Sequence, residues 1–388
     1  MQAQIDLLES RSTELAANQF STTTRLSGQV IFAANIGGFT GDRIIAPRGA
    51  LISENDPNAT LIYRVSLNLN TSFTGKDLLQ VRLITGSDGA DDNAGGFLEP
   101  NLGSTLEFSI PGRDNQLSVA RLYYTWPVSP DLSVTIGPSM TAPDFVDKNR
   151  YANISFLDFF TQAFVNNFIL FPRGRGAGGA IAWNPGGGSV HLRAVYIAGD
   201  GENALPENAQ VFGGGRPEDI RLFPIGGGAK GGLFGDPYQG IVELEYAPSR
   251  TSSVRLQYGS GKIFGSDFDV FGINFDVALS DRFGVFGRYG YGFYPNTTVG
   301  DINSHYWMAG LAFPNLFVKR AIAGIAIGQP FIADTVGNVS QTNFEAFYNF
   351  PLSDQIRITP LIQVITNPGN QDSNGAIFSG TMRMVLSF

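Results

Sequence analysis

The sequence contains no cysteine, which excludes disulfides, thiolate zinc sites and iron–sulfur clusters. Charge is scarce as well. Asp, Glu, Lys and Arg make up 15% of the 388 residues, against about 25% in an average soluble chain, which is thin cover for a surface facing water. Lys and Arg number 26 against 34 Asp and Glu, a net charge of −8. There is thus no basic footprint for nucleic acid or anionic lipid. No run approaches the roughly 18 consecutive apolar residues that mark a membrane helix. Met1 is followed by Gln2, Ala3, Gln4, Ile5 and Asp6 rather than by a basic stretch and an apolar core. No signal peptide is read, and the expectation is a sequence that starts inside a longer chain.

Motifs that carry chemistry are missing too. His191 and His305 stand far apart without carboxylates at ligand spacing. The sequence therefore suggests no metal site, and His191 reads as a lone wall histidine. The run Gly259-Ser260-Gly261-Lys262 has Leu256 where a phosphate-binding loop carries glycine. The glycines from Gly174 to Gly179 lead into a strand, not a helix. No Gly-x-Ser-x-Gly elbow occurs. Asp91 and Asp92 could pair on calcium but read as a solvated loop. Neither an enzyme nor a cofactor is expected.

What the chain does hold is 48 Gly, 31 Phe and 13 Tyr, enough apolar surface to exclude disorder. Residues 2–19 place Ile5, Leu8 and Leu15 at heptad positions. They read either as a frayed amphipathic end or as the last part of a coiled-coil linker. From Arg25 onward the period is two. Tyr63, Val65, Leu67 and Leu69 alternate with Arg64, Ser66, Asn68 and Asn70, and Met382, Met384, Leu386 and Phe388 alternate with Thr381, Arg383, Val385 and Ser387. Such alternation marks strands with one apolar face.

Seven tight reversals carry turn chemistry: Gly75 to Asp77, Val128 to Pro130, Pro185 to Gly188, Pro248 to Arg250, Ser280-Asp281, Pro314 to Phe317, and Pro351 to Ser353. Longer connections run over about 39–58, 88–115, 140–176, 200–237, 263–265, 294–302, 330–339 and 367–375. Seven hairpins give fourteen strands, and one more at each end makes sixteen, with Leu106 to Ile110 as a possible extra. An even count with short turns at one end lets the first and last strands pair, closing the sheet into an all-β antiparallel barrel.

The polar face decides between a soluble and a membrane barrel. Arg64, Arg82, Arg121, His191, Arg193, Arg255, Arg288, Arg357 and Arg383 all oppose the apolar series, as do Glu243, Glu245 and Glu345. Sixteen strands enclose water, so these residues are expected to line a pore while the apolar rows meet lipid. An Arg on the lipid face costs about 2–4 kcal/mol near mid-bilayer. Eight such errors would exceed the ~5–15 kcal/mol that stabilises a typical domain. Trp126, Phe313, Phe350 and Phe388 beside the short turns fit an interfacial girdle. A soluble β-protein, its apolar rows turned inward, is the opposing reading.

The third long connection has the sharpest pattern. Ser155 and Asp158 stand at capping-box spacing, and Phe156, Phe160, Phe164 and Phe168 recur every four residues, which predicts a short helix with an aromatic stripe. It either caps the rim or folds into the lumen and narrows it. In the second case Asp144, Asp147, Lys148, Arg150, Asp158, Arg173 and Arg175 lie at or near the constriction, where facing sets of opposite charge would sort ions.

At this point the chain resembles a known family. Phe159 to Phe164, the run Phe171-Pro172-Arg173-Gly174 leading to Gly178-Gly179-Ala180, Ala182-Trp183-Asn184-Pro185 and the terminal Phe388 are similar to cyanobacterial outer-membrane porins of the OprB-like carbohydrate-selective superfamily. The resemblance covers about 25–388 and implies a sixteen-stranded porin barrel, usually a homotrimer, with the third loop constricting each pore. Residues 1–24 would then be the end of a coiled-coil linker. Peptidoglycan contact would come only through an upstream S-layer-homology domain that these residues do not include.

The resemblance also implies a lipid bilayer with lipopolysaccharide as surroundings, and Phe388, with Met384 and Leu386, as the signal read by the barrel-insertion machinery. Sugar channels typically offer aromatic rails. Here the wall is arginine-rich, with few inward aromatics placed securely, Tyr123 among them. The second loop is acidic, with Asp88, Asp91, Asp92, Glu99, Glu107 and Asp114 against Arg113. The expected solutes are small hydrated ions. The alternatives are carbohydrates, or a structural outer-membrane anchor with a nearly closed lumen.

Overall fold

The computed structural model describes residues 23–46, 49, 51–87, 115–170, 175–204, 231–263, 265–297 and 299–388. The expectations for 1–22, for the acidic second loop with Asp91 and Asp92, for Leu106 to Ile110 and for Arg173 fall outside them.

Sixteen strands form a closed antiparallel barrel. They are β1 Thr24–Phe39, β2 Thr60–Thr71, β3 Leu78–Gly86, β4 Ser118–Pro127, β5 Leu132–Thr141, β6 Arg175–Trp183, β7 Val190–Ala198 and β8 Tyr238–Ser249. The second half comprises β9 Ser252–Ile263, β10 Ser266–Ser280, β11 Phe283–Thr297, β12 Gly300–Pro314, β13 Ile322–Ile332, β14 Thr342–Pro351, β15 Ile356–Thr366 and β16 Ile377–Ser387. Each strand pairs with its neighbours in sequence, and β1 meets β16 from Gln29 opposite Ser387 to Phe39 opposite Ile377. The seam continues one residue further. Gly28 N donates to the Phe388 carbonyl at 2.8 Å, and Phe388 N donates to the Gly28 carbonyl at 3.0 Å. A Cβ on residue 28 would lie 2.1 Å from the Phe388 ring, so glycine there makes room for the terminal aromatic.

The barrel is apolar outside. On β9, Arg255 is 7% exposed while its neighbour Leu256 is 51% exposed. The same inversion repeats around the cylinder: Val242, Leu244, Phe271 and Ile273 are exposed, while Glu243, Asn274, Arg288, Glu345 and Arg383 are buried. This overturns the soluble reading. Rings gather at the short-turn end, with Tyr124 on Trp126 at 5.8 Å, Tyr348 on Phe350 at 6.0 Å and Phe283 on Phe313 at 5.5 Å. A second belt includes Tyr258 with Phe271 at 5.0 Å. Two belts around an apolar band match the two interfaces of a bilayer.

Two of the connections expected to be long are tight. Residues 264–265 and 298–299 alone join β9 to β10 and β11 to β12. Gly265 at φ 89° and Gly300 at φ 92° take the left-handed conformation that sharp hairpins need. The first loop folds a small ladder, Ile44–Ile45 against Leu51–Ser53, which the sequence reading did not anticipate. Its Ile44 is buried with Ile365 and Ile377. At the short-turn end, Asp77 accepts bonds from Ser72, Phe73, Thr74 and the Tyr124 hydroxyl. The hydroxyls of Thr74 and Tyr124 hold its carboxyl well below the usual range.

Ile273 sits mid-strand on the lipid face. Ile273→Arg is expected to lower stability in lipid vesicles by about 2–4 kcal/mol, while Ile273→Leu changes it little. Denaturant titration of the reconstituted barrel measures the difference, and equal stabilities would contradict the outward assignment.

Candidate functional site within the barrel

The third loop, between β5 and β6, folds inside the cylinder and is bound to one side of the wall. It opens with a 3-10 turn at Ala142–Asp144 and reaches Asp147, which is fully buried at φ 59°. The Asp147 carboxylate accepts bonds from Asn274 Nδ2 at 2.7 Å, Gln257 Nε2 at 3.1 Å, Arg288 Nε at 3.0 Å and Asn167 N at 2.8 Å. Its own backbone N–H donates to Glu243 at 2.7 Å. Arg288 spends its remaining nitrogens on the carbonyls of Phe164 at 2.8 Å, Asp147 at 3.1 Å and Ala152 at 2.7 Å. A buried charge is tolerated only when paired and hydrogen-bonded. Here each ion meets several partners, and those partners come from both loop and wall.

A second anchor lies on β14 to β16. Glu345 accepts from Phe160 N at 2.6 Å, Thr161 N at 3.0 Å and the Thr161 hydroxyl, and Gln363 donates to that hydroxyl. Arg383, fully buried, donates to the carbonyls of Ser155 and Asp158 and lies 5.9 Å from the Phe160 ring centre. From β11 and β12 the hydroxyls of Tyr294 and Tyr306 hold the carbonyls of Ile169 at 2.9 Å and Asn166 at 3.2 Å.

The expected helix is reduced to one turn, Gln162–Val165. Asp158 does not complete a capping box with Ser155; its carboxylate turns back to the N–H groups of Asn153 at 2.9 Å and Ile154 at 2.7 Å. Burial pushes this carboxyl up to about 6, against those two bonds and the Arg383 charge. Phe160, Phe164 and Phe168 are buried, whereas Phe156 is only half-buried. Phe159, outside the expected stripe, forms the centre of the aromatic packing, 4.9 Å from Phe347 and 5.6 Å from Phe286. Wall contacts along the whole loop override the four-residue period.

The expected pore-wall residues therefore divide into two groups. Glu243, Arg288, Glu345 and Arg383 lie beneath the loop, where the sequence reading expected them to face water. Arg255 is buried between Glu245 at 2.6 Å and Asp276 at 2.8 Å. On the uncovered side, Arg121 pairs with Asp144 of the loop, and Arg82 Nε donates to Asn68 at 2.7 Å. Arg193 bridges Glu243 at 2.9 Å and Glu245 at 2.6 Å, with its side chain 22% exposed. His191 stands opposite Glu245 in the ladder, and Arg64 faces inward on β2 in register with Gly86.

Arg357 binds Asn349 at 2.7 Å and the Arg320 carbonyl at 3.3 Å, by the short turns. Two residues expected at the constriction stand elsewhere. Arg150 meets Asp276 at 3.2 Å and reaches the Arg250 carbonyl in a short turn, and exposed Arg175 begins β6 at the long-loop end. Lys148 is partly buried near Asp144, and burial pushes its ammonium down while Asp144 and Asp147 oppose the shift.

Sequence reasoning missed the uncharged anchors Gln257, Asn274, Tyr294, Tyr306 and Gln363. It also missed the glycines that let the loop approach. The inward row of β11 includes Gly284 and Gly290; a Cβ would lie 2.4 Å from Tyr151 at the first and 2.8 Å from Asn167 at the second. The available signal was glycine recurring within a strand, which marks a close backbone approach.

Asp147→Ala leaves Arg288 buried without its carboxylate, a class of change that costs about 3–5 kcal/mol. The variant is expected to melt earlier. Folded barrels should also become open to trypsin after Lys148 and Arg150, read as fragments on a denaturing gel. Unchanged resistance would mean that the loop is held by other contacts.

Residues 234–388 match the model of the carbohydrate-selective porin, OprB family. Over its full length the chain is 28% identical to an uncharacterised protein of Nostoc sp., covering 69% of it. Over 99% of its length it is 24% identical to an uncharacterised protein of Synechocystis sp., covering 72% of that one. Among solved structures the barrel resembles OprB of Pseudomonas putida at high pH, with a TM-score of 0.67 and 13% identity over 97% of this chain and 96% of that one. It also resembles an anion-selective porin from Comamonas acidovorans, with a TM-score of 0.54 and 11% identity over 94% and 99%. The trimer form of OmpT from Vibrio cholerae gives 0.53 and 12% over 94% and 99%. At such identities the structural likeness is one of fold. Over residues 234–388 the chain is thus similar to the carbohydrate-selective porins of the OprB family, and its inverted sixteen-stranded barrel is that of a bacterial outer-membrane protein.

Proposed function

We propose that the chain conducts small hydrophilic solutes by passive diffusion, chiefly inorganic ions, with the third loop as its constriction. The observation that carries this reading is the state of the uncovered wall. Arg82, Arg121 and Arg193 keep partial access to the lumen, and charged groups around a water-filled passage act on ions first. The carbohydrate alternative draws on the description of the matching family and on the likeness to Pseudomonas putida OprB. Against it stands Tyr123, whose hydroxyl donates to Gln80 at 2.7 Å and whose ring lies 5.4 Å from Phe145. Buried in that way, it offers no open face for stacking a sugar.

In a planar bilayer the purified barrel is expected to give stepwise conductance in potassium chloride, and deletion of 153–170 should enlarge each step. Liposomes carrying it should swell slowly in glucose relative to their salt conductance. Fast glucose entry would favour the carbohydrate reading. Silence from both the intact and the deleted protein would leave a structural anchor.

The same reading takes the protein as a homotrimer in a bilayer with lipopolysaccharide, with Phe388 presented to the insertion machinery. Cross-linking in membranes should yield three copies, and removal of Phe388 should reduce the amount of assembled barrel. A ladder ending at one copy, or assembly unaffected by the deletion, would contradict the respective point.

A further inference from the structure

The wall charges are unevenly distributed. Strands β1 to β7 contain Arg25, Arg64, Arg82, Arg121, Arg175, His191 and Arg193 but no Asp or Glu. Every carboxylate of the sixteen strands lies on β8 to β14, and Asp267, Asp269 and Asp301 are on the outer face or rim. The four inward ones are all engaged. Glu243 is held by Arg193, Gln257 and the loop backbone, and Glu245 by Arg193 and Arg255. Asp276 is held by Arg255, Arg150 and Ser253, and Glu345 by Phe160 and Thr161. The inward wall anions are thus spent, two of them on Arg193 of the opposite half, whereas Arg82 has no carboxylate among the described residues.

One place concentrates the imbalance. Arg82 and Arg121 are direct cross-strand partners, and like charges in that relation are destabilising unless something neutralises them. Asp144 pairs with Arg121. Arg82 gives its Nε to Asn68 and makes no ion pair with any described residue. Lys148, on the loop one turn after Asp144, has none either, although it feels both Asp144 and Arg121. Asp144, paired with Arg121, is thus the carboxylate whose charge also acts on Arg82 and Lys148. The terminal nitrogens of Arg82 make no hydrogen bond with any described residue, and a guanidinium fork fits two oxygens of one anion.

We propose that Arg82, Arg121 and Lys148 form a binding station for small oxyanions, such as inorganic phosphate or a short carboxylate, and that the pore favours anions over cations. This rests on the channel reading above and names the solute class for it.

The test uses the purified barrel in a planar bilayer. Under a potassium chloride gradient the reversal potential is expected to have the sign of chloride permeation. Inorganic phosphate added to the same solution should lower the chloride current in a saturable way. Arg82→Ala should weaken that block by about tenfold, the value of one charge-assisted contact, and shift the reversal potential toward potassium. Arg82→Lys retains the charge without the fork, so it should keep the sign of the potential and lose the block. Asp144→Asn should strengthen both effects.

Heat-modifiable gel mobility verifies that each variant is folded. Should Arg82→Ala fail to fold, Arg82→Lys and Lys148→Ala decide the matter. Conductance with potassium preference, or with current indifferent to phosphate, overturns the station and leaves the channel standing. Absence of any conductance removes the channel and the station with it.

Discussion

Lipid offers backbone amides no partner, and the rest of this molecule follows from that condition. A sheet can cross a bilayer only if its last strand finds its first. Here the register runs from Gln29 opposite Ser387 onward and is extended by Gly28 and Phe388. Closure leaves one face toward the tails and one toward the interior. The alternation that places Leu256 outside therefore places Arg255 inside. Polar side chains accumulate in the cylinder because they are excluded from its surface.

Once collected there, the charges need partners. Along β8 to β16 the partner is the third loop, and the exchange is reciprocal. The wall supplies Glu243 and Glu345 to backbone N–H groups of the loop, and Arg288 and Arg383 to its carbonyls. The loop returns Asp147 to the centre of the first cluster. Asp147 occupies a left-handed backbone conformation that is uncommon for residues other than glycine, and the number of bonds converging on it accounts for that conformation. Along β1 to β7 the described part of the loop gives the wall charges one carboxylate, Asp144 on Arg121, and packs Phe145 against Tyr123. The interior beside β8 to β16 is packed around the loop like a protein core.

The barrel was legible in the sequence because its signal is repeated. Each strand carries the same period of two, and a single error of register would place an arginine in lipid. The turns at residues 75–77, 128–130 and 185–188 carried residues whose backbone preferences mark reversals. The loop was legible only in part. Its Phe160, Phe164 and Phe168 were recognisable as apolar, but helical spacing is a local property, and the path from Phe145 to Leu170 is set by groups on distant strands, β4 and β8 to β16. Which of the inward charges would be covered could not be read from alternation, since Glu243 and Arg82 have the same pattern around them. The glycine row on β11 held that information in a form that single-strand reading passes over.

The loop is held to a large extent through its main chain. Arg288 and Arg383 grip carbonyls of Phe164, Ala152, Ser155 and Asp158, while Glu345 grips the N–H groups of Phe160 and Thr161. Every residue type except proline can offer such groups. The clamp is therefore indifferent to most side chains it holds, and mutation can rework the plug's inner surface while the fastening endures. Homologous pores could in this way diverge in what they admit without reinventing how they are obstructed.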